Sequence, residues 1–381
     1  MMAERNAHLE NNPVDKGNGS YQRKLGTPMG QLDLIVPRDR DGDFRPSVLP
    51  KQYNRDFAER EDLIMSLFIN GYSPNQINKT LTSMHLHYNP EEIETLKNNY
   101  LELYNQWQNR ELPCDVAGLF IDAYHCHTLI EQKVKKSVVF VIIGIDFTGC
   151  KSLYGIYIYT GNESKGFWLT VLNQIINRGV KSPLYIVSDD LAGLKDAINT
   201  LFPLAFHQLC YVHMHRNAHR NMSKEDACSF NEEMKKIKDY KTFEKATETF
   251  IKLCALYQEK YPEYVKALLA DTNNYFAFMK LPKGARKYFY TTNIVESFNS
   301  ILESSRQKSG GFFQSQDFLK VNIYINILNL SNRVWKKGIP LLKANLYEVR
   351  QLFATQYGRL PVASDLDNNE LSDISKQKKN K

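Results

Sequence analysis

The stretch that decides the reading of this chain is residues 183–197, PLYIVSDDLAGLKDA. Leu184 to Val187 form a short apolar run that leads straight into Asp189 and Asp190. Gly193 supplies a turn signal, and the residues after it have helical spacing. This is a buried strand ending in acid and followed by a helix. Open α/β sheets place their chemistry at such strand ends.

Working outward, three more strands precede it. GLFID ends in Asp122, SVVFVIIGI (137–145) is a continuous β-branched run, and LYGIYIYT (153–160) alternates. Asp146, Thr148 and Gly149 mark a tight turn between the second and third, so the three should form an antiparallel meander. Ser164 caps a helix with an apolar face of Trp168, Val171, Leu172, Ile175 and Ile176. After residues 183–197, whose helix carries Leu194, Ile198 and Leu201, a last strand is expected around Ala205 to Val212. The order βββαβαβ predicts an α/β fold with a mixed five-stranded sheet, the fourth strand returning parallel to the first by a right-handed crossover.

The flanks differ. Residues 223–285 read as an all-helical block, and residues 286–360 as a return to the core with C-terminal helices. Within the latter, TTNIVESFNSILESS begins a helix near Thr292 whose polar face carries Glu296, Asn299, Ser300 and Glu303. Residues 113–222 make the first part of the core. At the other end, residues 1–27 are polar and read as disordered, as do 361–381, a Lys-rich tail. Residues 28–112 read as a DNA-binding domain: a strand with a turn at Asp41-Gly42, then three helices over 55–109. Gly71 ends the first helix, Ser73-Pro74 opens a short second, and Asn89-Pro90 with Glu92 opens the third. That outline is a helix-turn-helix, with the second helix the candidate reader of DNA.

Composition is permissive. Over 381 residues, 43% hydrophobic and 24% charged residues are ordinary for a globular protein, and a net charge of +7 allows a polyanionic partner. Six cysteines without a CxxC pair favour reduced thiols. No apolar stretch is long enough for a signal peptide core or a membrane span, which predicts a cytoplasmic protein without a membrane partner.

If the first and fourth strands are neighbours, Asp122 and Asp189 stand side by side. Two such carboxylates repel unless they share a proton or a cation. Oxygen ligands suit Mg²⁺ or Mn²⁺. A third carboxylate from the helix at Thr292 would complete a two-metal site, with ions about 3.5–4 Å apart flanking a phosphodiester. Glu296 fits that role, and on spacing Glu303 does too. Asp189 or Asp190 can equally cap the following helix. For DNA contact, Arg216 and Arg220 belong to a basic cluster with His213, His215 and His219. Lys283, Arg286 and Lys287 precede Glu296, interleaved with Tyr288, Phe289 and Tyr290.

Six blocks in one order, VPRDRDGDFRPSVLPK, LFIDAYHCHT with VIIGIDFTG, KGFWLTVLNQIINRGVK, SDDLAGLKDAI, QLCYVHMHRN and RKYFYTTNIVESFNS, resemble bacterial insertion-sequence transposases of the IS256 type, relatives of the Mutator-like transposases. The resemblance implies an RNase H-like catalytic core with a helical insertion and a DDE triad of Asp122, Asp189 and Glu296. It further implies two Mg²⁺ or Mn²⁺ ions, cleavage at terminal inverted repeats, strand transfer into target DNA, and a homodimer or higher oligomer on paired ends. Cys210 and His213 match the family's C-x₂-H signature as a structural motif; a zinc reading would need further ligands, with Cys228 and His215 as candidates. Two departures stand out: Asp190 replaces a usual glycine, and His127 replaces a basic residue. They leave two alternatives, a decayed or domesticated DNA-binding protein and a nuclease that does not join strands.

Overall fold

The computed structural model describes residues 1–27, 30–49, 63–68, 70–84, 90–161, 164–333, 335 and 338–362. The chain divides into two units, Met1–Leu101 and Glu102–Lys381.

The first unit holds helix α1 (Met2–Asn11) and an antiparallel hairpin of β1 (Gly17–Thr27) and β2 (Gly30–Asp39). The expectation of a disordered start is therefore corrected. Helix α1 buries none of its side chains, so it has no apolar stripe to betray it, and β1 is polar along most of its length. Strand β2 ends in a turn built on Asp39, whose carboxylate accepts N–H bonds from Gly42, Asp43 and Phe44 at 3.1, 3.1 and 2.8 Å. Helix follows at 63–68, then α2 (Pro74–Ser83) and α3 (Pro90–Gln108). A capping box closes α2: Ser73 Oγ accepts from Gln76 N–H while Gln76 Oε1 accepts from Ser73 N–H. The cap expected for α3 at Asn89 lies outside the described residues. The division between the units falls within α3.

The second unit is built on a five-stranded mixed sheet of order β5-β4-β3-β6-β7. The strands are β3 (Asp115–Ile130), β4 (Lys133–Ile145), β5 (Lys151–Tyr159), β6 (Ser182–Ser188) and β7 (Phe206–Leu209). β3 to β5 form the expected meander, while β3 pairs with β6 in parallel and β6 with β7 in parallel. Strand β6, flanked by β3 and β7, is buried along its whole length, because both faces of the sheet are covered. On one face α4 (Lys165–Asn177) and α5 (Leu194–Leu201) bury Trp168, Leu172, Leu194 and Ile198 against Phe140, Ile142 and Ile186. On the other, the Phe289 ring lies 5.5 Å from Phe120 and 5.3 Å from Tyr185. Gly118 permits that approach, since a Cβ there would stand 2.7 Å from the Phe289 ring.

The last strand stops at Leu209, short of the expected Val212, and α6 (Tyr211–Asn221) begins at once. Tyr211, Met214 and Ala218 are its buried residues, a helical and not an alternating spacing. The helical block is present as α7 (Lys224–Lys238), α8 (Phe243–Tyr257), α9 (Pro262–Ala270) and α10 (Thr272–Phe276). It is fastened to the sheet edge at β7: Gln208 donates to Tyr275 O at 3.0 Å and accepts from Phe278 N–H at 2.8 Å. A short α11 (Lys283–Arg286) leads to α12 (Asn293–Lys308), which packs on β3 and β4. Helices α13 (Gln316–Arg333), α14 (Pro340–Ala344) and α15 (Leu346–Tyr357) close the unit. The tail from 363 onward lies outside the described residues. No helix among the described residues is long and apolar enough to cross a membrane.

Candidate active site

The parallel register of β3 and β6 builds the site. Ile121 pairs with Ser188, so Asp122 and Asp189 follow one residue later, side by side, but only β6 ends there. Asp189 is the first residue after it, whereas β3 does not stop at Asp122 as expected and continues to Ile130 through its pairing with β4. Asp122 is 3% exposed. Burial, together with the negative charge of Asp189 beside it, pushes the Asp122 carboxyl far above the ordinary carboxylate range. Its two oxygens are held from opposite sides, Oδ1 accepting from Ala123 N–H and Oδ2 from Asn299 Nδ2, both at 2.9 Å.

Asp189 is balanced by α6. His213 Nδ1 forms an ion pair with Asp189 Oδ1. Burial works against the imidazolium, but the hydrogen bonds to Asp189 and Cys210 raise its pKa to about 10. Next along the same face, Arg216 places Nη1 2.8 Å from His213 Nε2 and Nη2 3.1 Å from Glu296 Oε1. One turn of α6 thus carries positive charge to two acidic residues. Glu296 sits in the first turn of α12, and Asn299 stands three residues on along the same face. Helix α12 therefore reaches Asp122 through Asn299 and meets α6 through Glu296.

Glu303, the other candidate for the third acid, is engaged elsewhere. Its Oε2 accepts from Tyr124 Oη at 2.7 Å and Arg306 Nε at 2.9 Å, and Oε1 accepts from Gln307 Nε2 at 2.9 Å. The hydrogen bonds from Arg306 hold its carboxyl down to about 2. The helix-capping readings also fall away. Gly193, at φ +78°, takes the N-cap position of α5, and neither Asp189 nor Asp190 caps it. Asp190 is exposed, and its charged neighbours include Asp271 and Lys195, which are themselves paired.

Cys210 is buried at the start of α6, its Sγ accepting from Thr292 N–H and Oγ1, each at 3.4 Å. The Cys-x₂-His motif therefore ties α6 to the segment entering α12. Its ligand atoms gather with Asp189, all within 4.8 Å of one another, and not with Cys228 or His215. Cys228 is exposed.

The proposed DNA-contacting cations differ in their surroundings. Arg220, Lys283 and Lys287 are exposed. Arg286 braces the backbone instead: Nε donates to Leu281 O at 2.9 Å and Nη2 to Met279 O at 2.7 Å, with Nη1 3.3 Å from Tyr240 O. Sequence reasoning did not assign Asn299 its contact with Asp122 or Arg216 its contact with Glu296. The signal for Asn299 was its i+3 spacing from Glu296; nothing local marked Arg216, because its partner lies 80 residues away.

Fold and site together define an α/β protein with a mixed five-stranded sheet in which two neighbouring aspartates, Asp122 and Asp189, meet side chains of two helices, His213 of α6 and Asn299 of α12. The sequence profile described as "Transposase, Mutator family" matches residues 1–337, and the chain belongs to that family. It is 29% identical over 334 residues to the transposase for insertion sequence element ISRM3 of Rhizobium meliloti, covering 87% of this chain and 82% of that one. A probable insertion-sequence transposase of Corynebacterium diphtheriae is 30% identical over 300 residues, 78% of this chain and 87% of that one. The transposase for IS256 in transposon Tn4001 of Staphylococcus aureus is 28% identical over 309 residues, with 80% and 78% covered.

Proposed function

We propose that this chain is a DDE transposase with an RNase H-like core, which binds the terminal inverted repeats of an insertion sequence, cleaves DNA there and joins the freed end to target DNA. The observation that carries the reading is the pairing of buried Asp122, midway along β3, with half-buried Asp189 just after β6, with Glu296 on α12 reaching the same cluster through Arg216.

A pair of carboxylates kept this close is costly without positive charge, and its donor set is hard oxygen. That fits a divalent cation, Mg²⁺ or Mn²⁺. Asp122, Asp189 and Glu296 would hold one or two such ions. Bound there, they would supply Lewis-acid charge for phosphodiester hydrolysis and transesterification.

The remaining work belongs to side chains of this chain. Asn299 fixes the orientation of Asp122 by its bond to Oδ2. His213 keeps Asp189 turned toward α6, and Arg216 does the same for Glu296. Cys210 and Thr292 lock the start of α6 to the entry of α12, so the residues from the strands and the helix hold one spacing. The exposed Arg220, Lys283 and Lys287 would neutralise backbone phosphates. The first unit, with its capped short helix α2 and with Arg38 and Arg40 at the end of β2, would recognise the repeat, in a dimer or larger assembly on paired ends.

The test is strand transfer of a labelled repeat end in Mg²⁺. The proposal expects cleavage and joining by the wild-type chain, and loss of both with retained DNA binding in Asp122→Asn, Asp189→Asn and Glu296→Gln. Nicking without joining would identify a nuclease, and binding with neither would identify a non-catalytic DNA-binding protein.

A further inference from the structure

A cavity of about 390 Å³ opens between the α7–α8 turn and the segment that leads from α11 toward α12. Lys238, Lys241, Lys283 and Lys287 stand around it, and Tyr240 and Tyr290 are in its wall. Asp239 is its one acidic lining residue. The excess of cationic side chains suits a phosphate, and the size is at the lower end of the range for a single small ligand.

The wall is built firmly. Arg286 spans it from beneath, donating to backbone carbonyls on both sides, Met279 O at 2.7 Å and Tyr240 O at 3.3 Å. The Tyr290 ring is wedged edge-on between Tyr211 and Phe278, with centroids 6.0 and 5.6 Å away. A lysine tip lies over its ring, with Lys238 Nζ 4.8 Å from the centroid. A lysine on its flexible stem can give up that place to a flat ring and pair with a phosphate instead. An aromatic platform with several ammonium groups around it is what an unpaired nucleotide needs, base on ring and phosphate on lysine. Bases within a duplex keep their faces covered by their neighbours, so only an unstacked one can use the platform.

The cavity is also tied to the acidic centre. Tyr290 O accepts from Tyr211 N–H at 2.9 Å at the start of α6, and the chain runs on from Tyr290 through Thr292 to Glu296. We propose that this cavity binds one unpaired nucleotide of a DNA strand, the base on Tyr290 and the phosphate on Lys238, Lys241 and Lys287. The proposal rests on the reading of the chain as a DNA-processing enzyme and specifies how a strand end is gripped.

The probe is a single-stranded deoxyadenosine pentanucleotide carrying one 2-aminopurine, titrated into the full chain beside a blunt duplex of the repeat. Fluorescence reports stacking and anisotropy reports binding. Stacking on Tyr290 predicts quenching that Tyr290→Leu abolishes, with pentanucleotide affinity about tenfold weaker, ~1.4 kcal/mol. Lys238→Ala with Lys241→Ala should weaken it similarly and flatten its salt dependence, while duplex binding stays within about twofold. Tyr240→Leu, on the opposite wall, guards against a folding defect at Tyr290. Unchanged quenching and affinity in Tyr290→Leu and in the double lysine variant, with duplex binding intact, would overturn this proposal alone. Failure to bind either DNA would overturn the wider reading as well. Free deoxyadenosine monophosphate binding as tightly as the pentanucleotide would overturn the assignment to a strand.

Discussion

Replacing Glu303 by Gln separates the two carboxylates that the polar face of α12 offers. In the folded chain Glu303 accepts from Arg306, Tyr124 and Gln307, and its carboxyl is held from the ordinary 4.5 down to about 2. A shift of that size corresponds to roughly 3 kcal/mol at about 1.4 kcal/mol per pKa unit. The side chain is 34% exposed, however, so solvent screening reduces the expected loss to about 1–2 kcal/mol. In a unit of this size that lowers the melting temperature by about 3–6 °C at neutral pH. The pH dependence has a definite sign. A carboxyl whose folded pKa is depressed stabilises the fold above its unfolded value, and that contribution disappears as the pH falls from 4.5 toward 2. The melting difference between wild type and Glu303→Gln should therefore be constant near neutrality and shrink below about pH 4.5. Assayed at a temperature where both are folded, Glu303→Gln should retain strand cleavage and joining, whereas Glu296→Gln should lose them. A folded Glu303→Gln that is catalytically dead, beside an active Glu296→Gln, would refute this division of roles.

Other outcomes follow from the same contacts. Arg359→Met strands the buried Asp115, which now accepts from Arg359 Nη2 at 2.7 Å and from Val362 N–H at 2.8 Å; since Arg359 is 42% exposed, a loss of about 2–3 kcal/mol is expected in urea unfolding. The double variant with Asp115→Asn should recover part of it. His207 is buried on β7 beside Ser188 Oγ at 2.8 Å, and burial, aided by Lys195, lowers its pKa from 6.5 to about 3. The unfolded chain therefore takes up this proton first, and stability should fall as the pH drops from 6.5 toward 3, by up to about 1.4 kcal/mol per pH unit from this group. His207→Gln should flatten that slope in melts at graded pH. Gly193→Ala would put a Cβ 2.3 Å from Lys165 N at a φ of +78°, costing about 3 kcal/mol or more and disturbing the turn that follows Asp189; melting temperature and cleavage should fall together.

Much of the core was legible because its signals are local. The apolar runs of β3, β4 and β6 and the turns between them mark the strands, and a parallel return of the fourth strand beside the first, which the structure has, is the condition under which Asp122 stands beside Asp189. Helix α12 could be phased from Val295, Phe298 and Leu302, which put Glu296, Asn299 and Glu303 on its polar face. Periodicity could not say which of these faces Asp122. That choice is made by Tyr124 and Arg306 taking Glu303, and by Asn299 reaching Asp122, contacts spanning up to 179 residues. The start of α6 was misread because Tyr211 and Val212 extend the apolar run of β7 without a break. Helix α1 went unseen because it buries nothing. Arg286 shows the limit for charge: sequence marks a cation, and only packing tells that its donors are spent on carbonyls.

The central claim, that Asp122, Asp189 and Glu296 together hold a divalent ion, is tested most directly by Mn²⁺ titration of the purified chain followed by electron paramagnetic resonance. Wild type and Glu303→Gln should bind Mn²⁺ with the same stoichiometry and affinity, and Asp189→Asn should lose that binding, with Asp122→Asn and Glu296→Gln weakened, while all variants remain folded. Undiminished Mn²⁺ binding by folded Asp189→Asn would contradict the account.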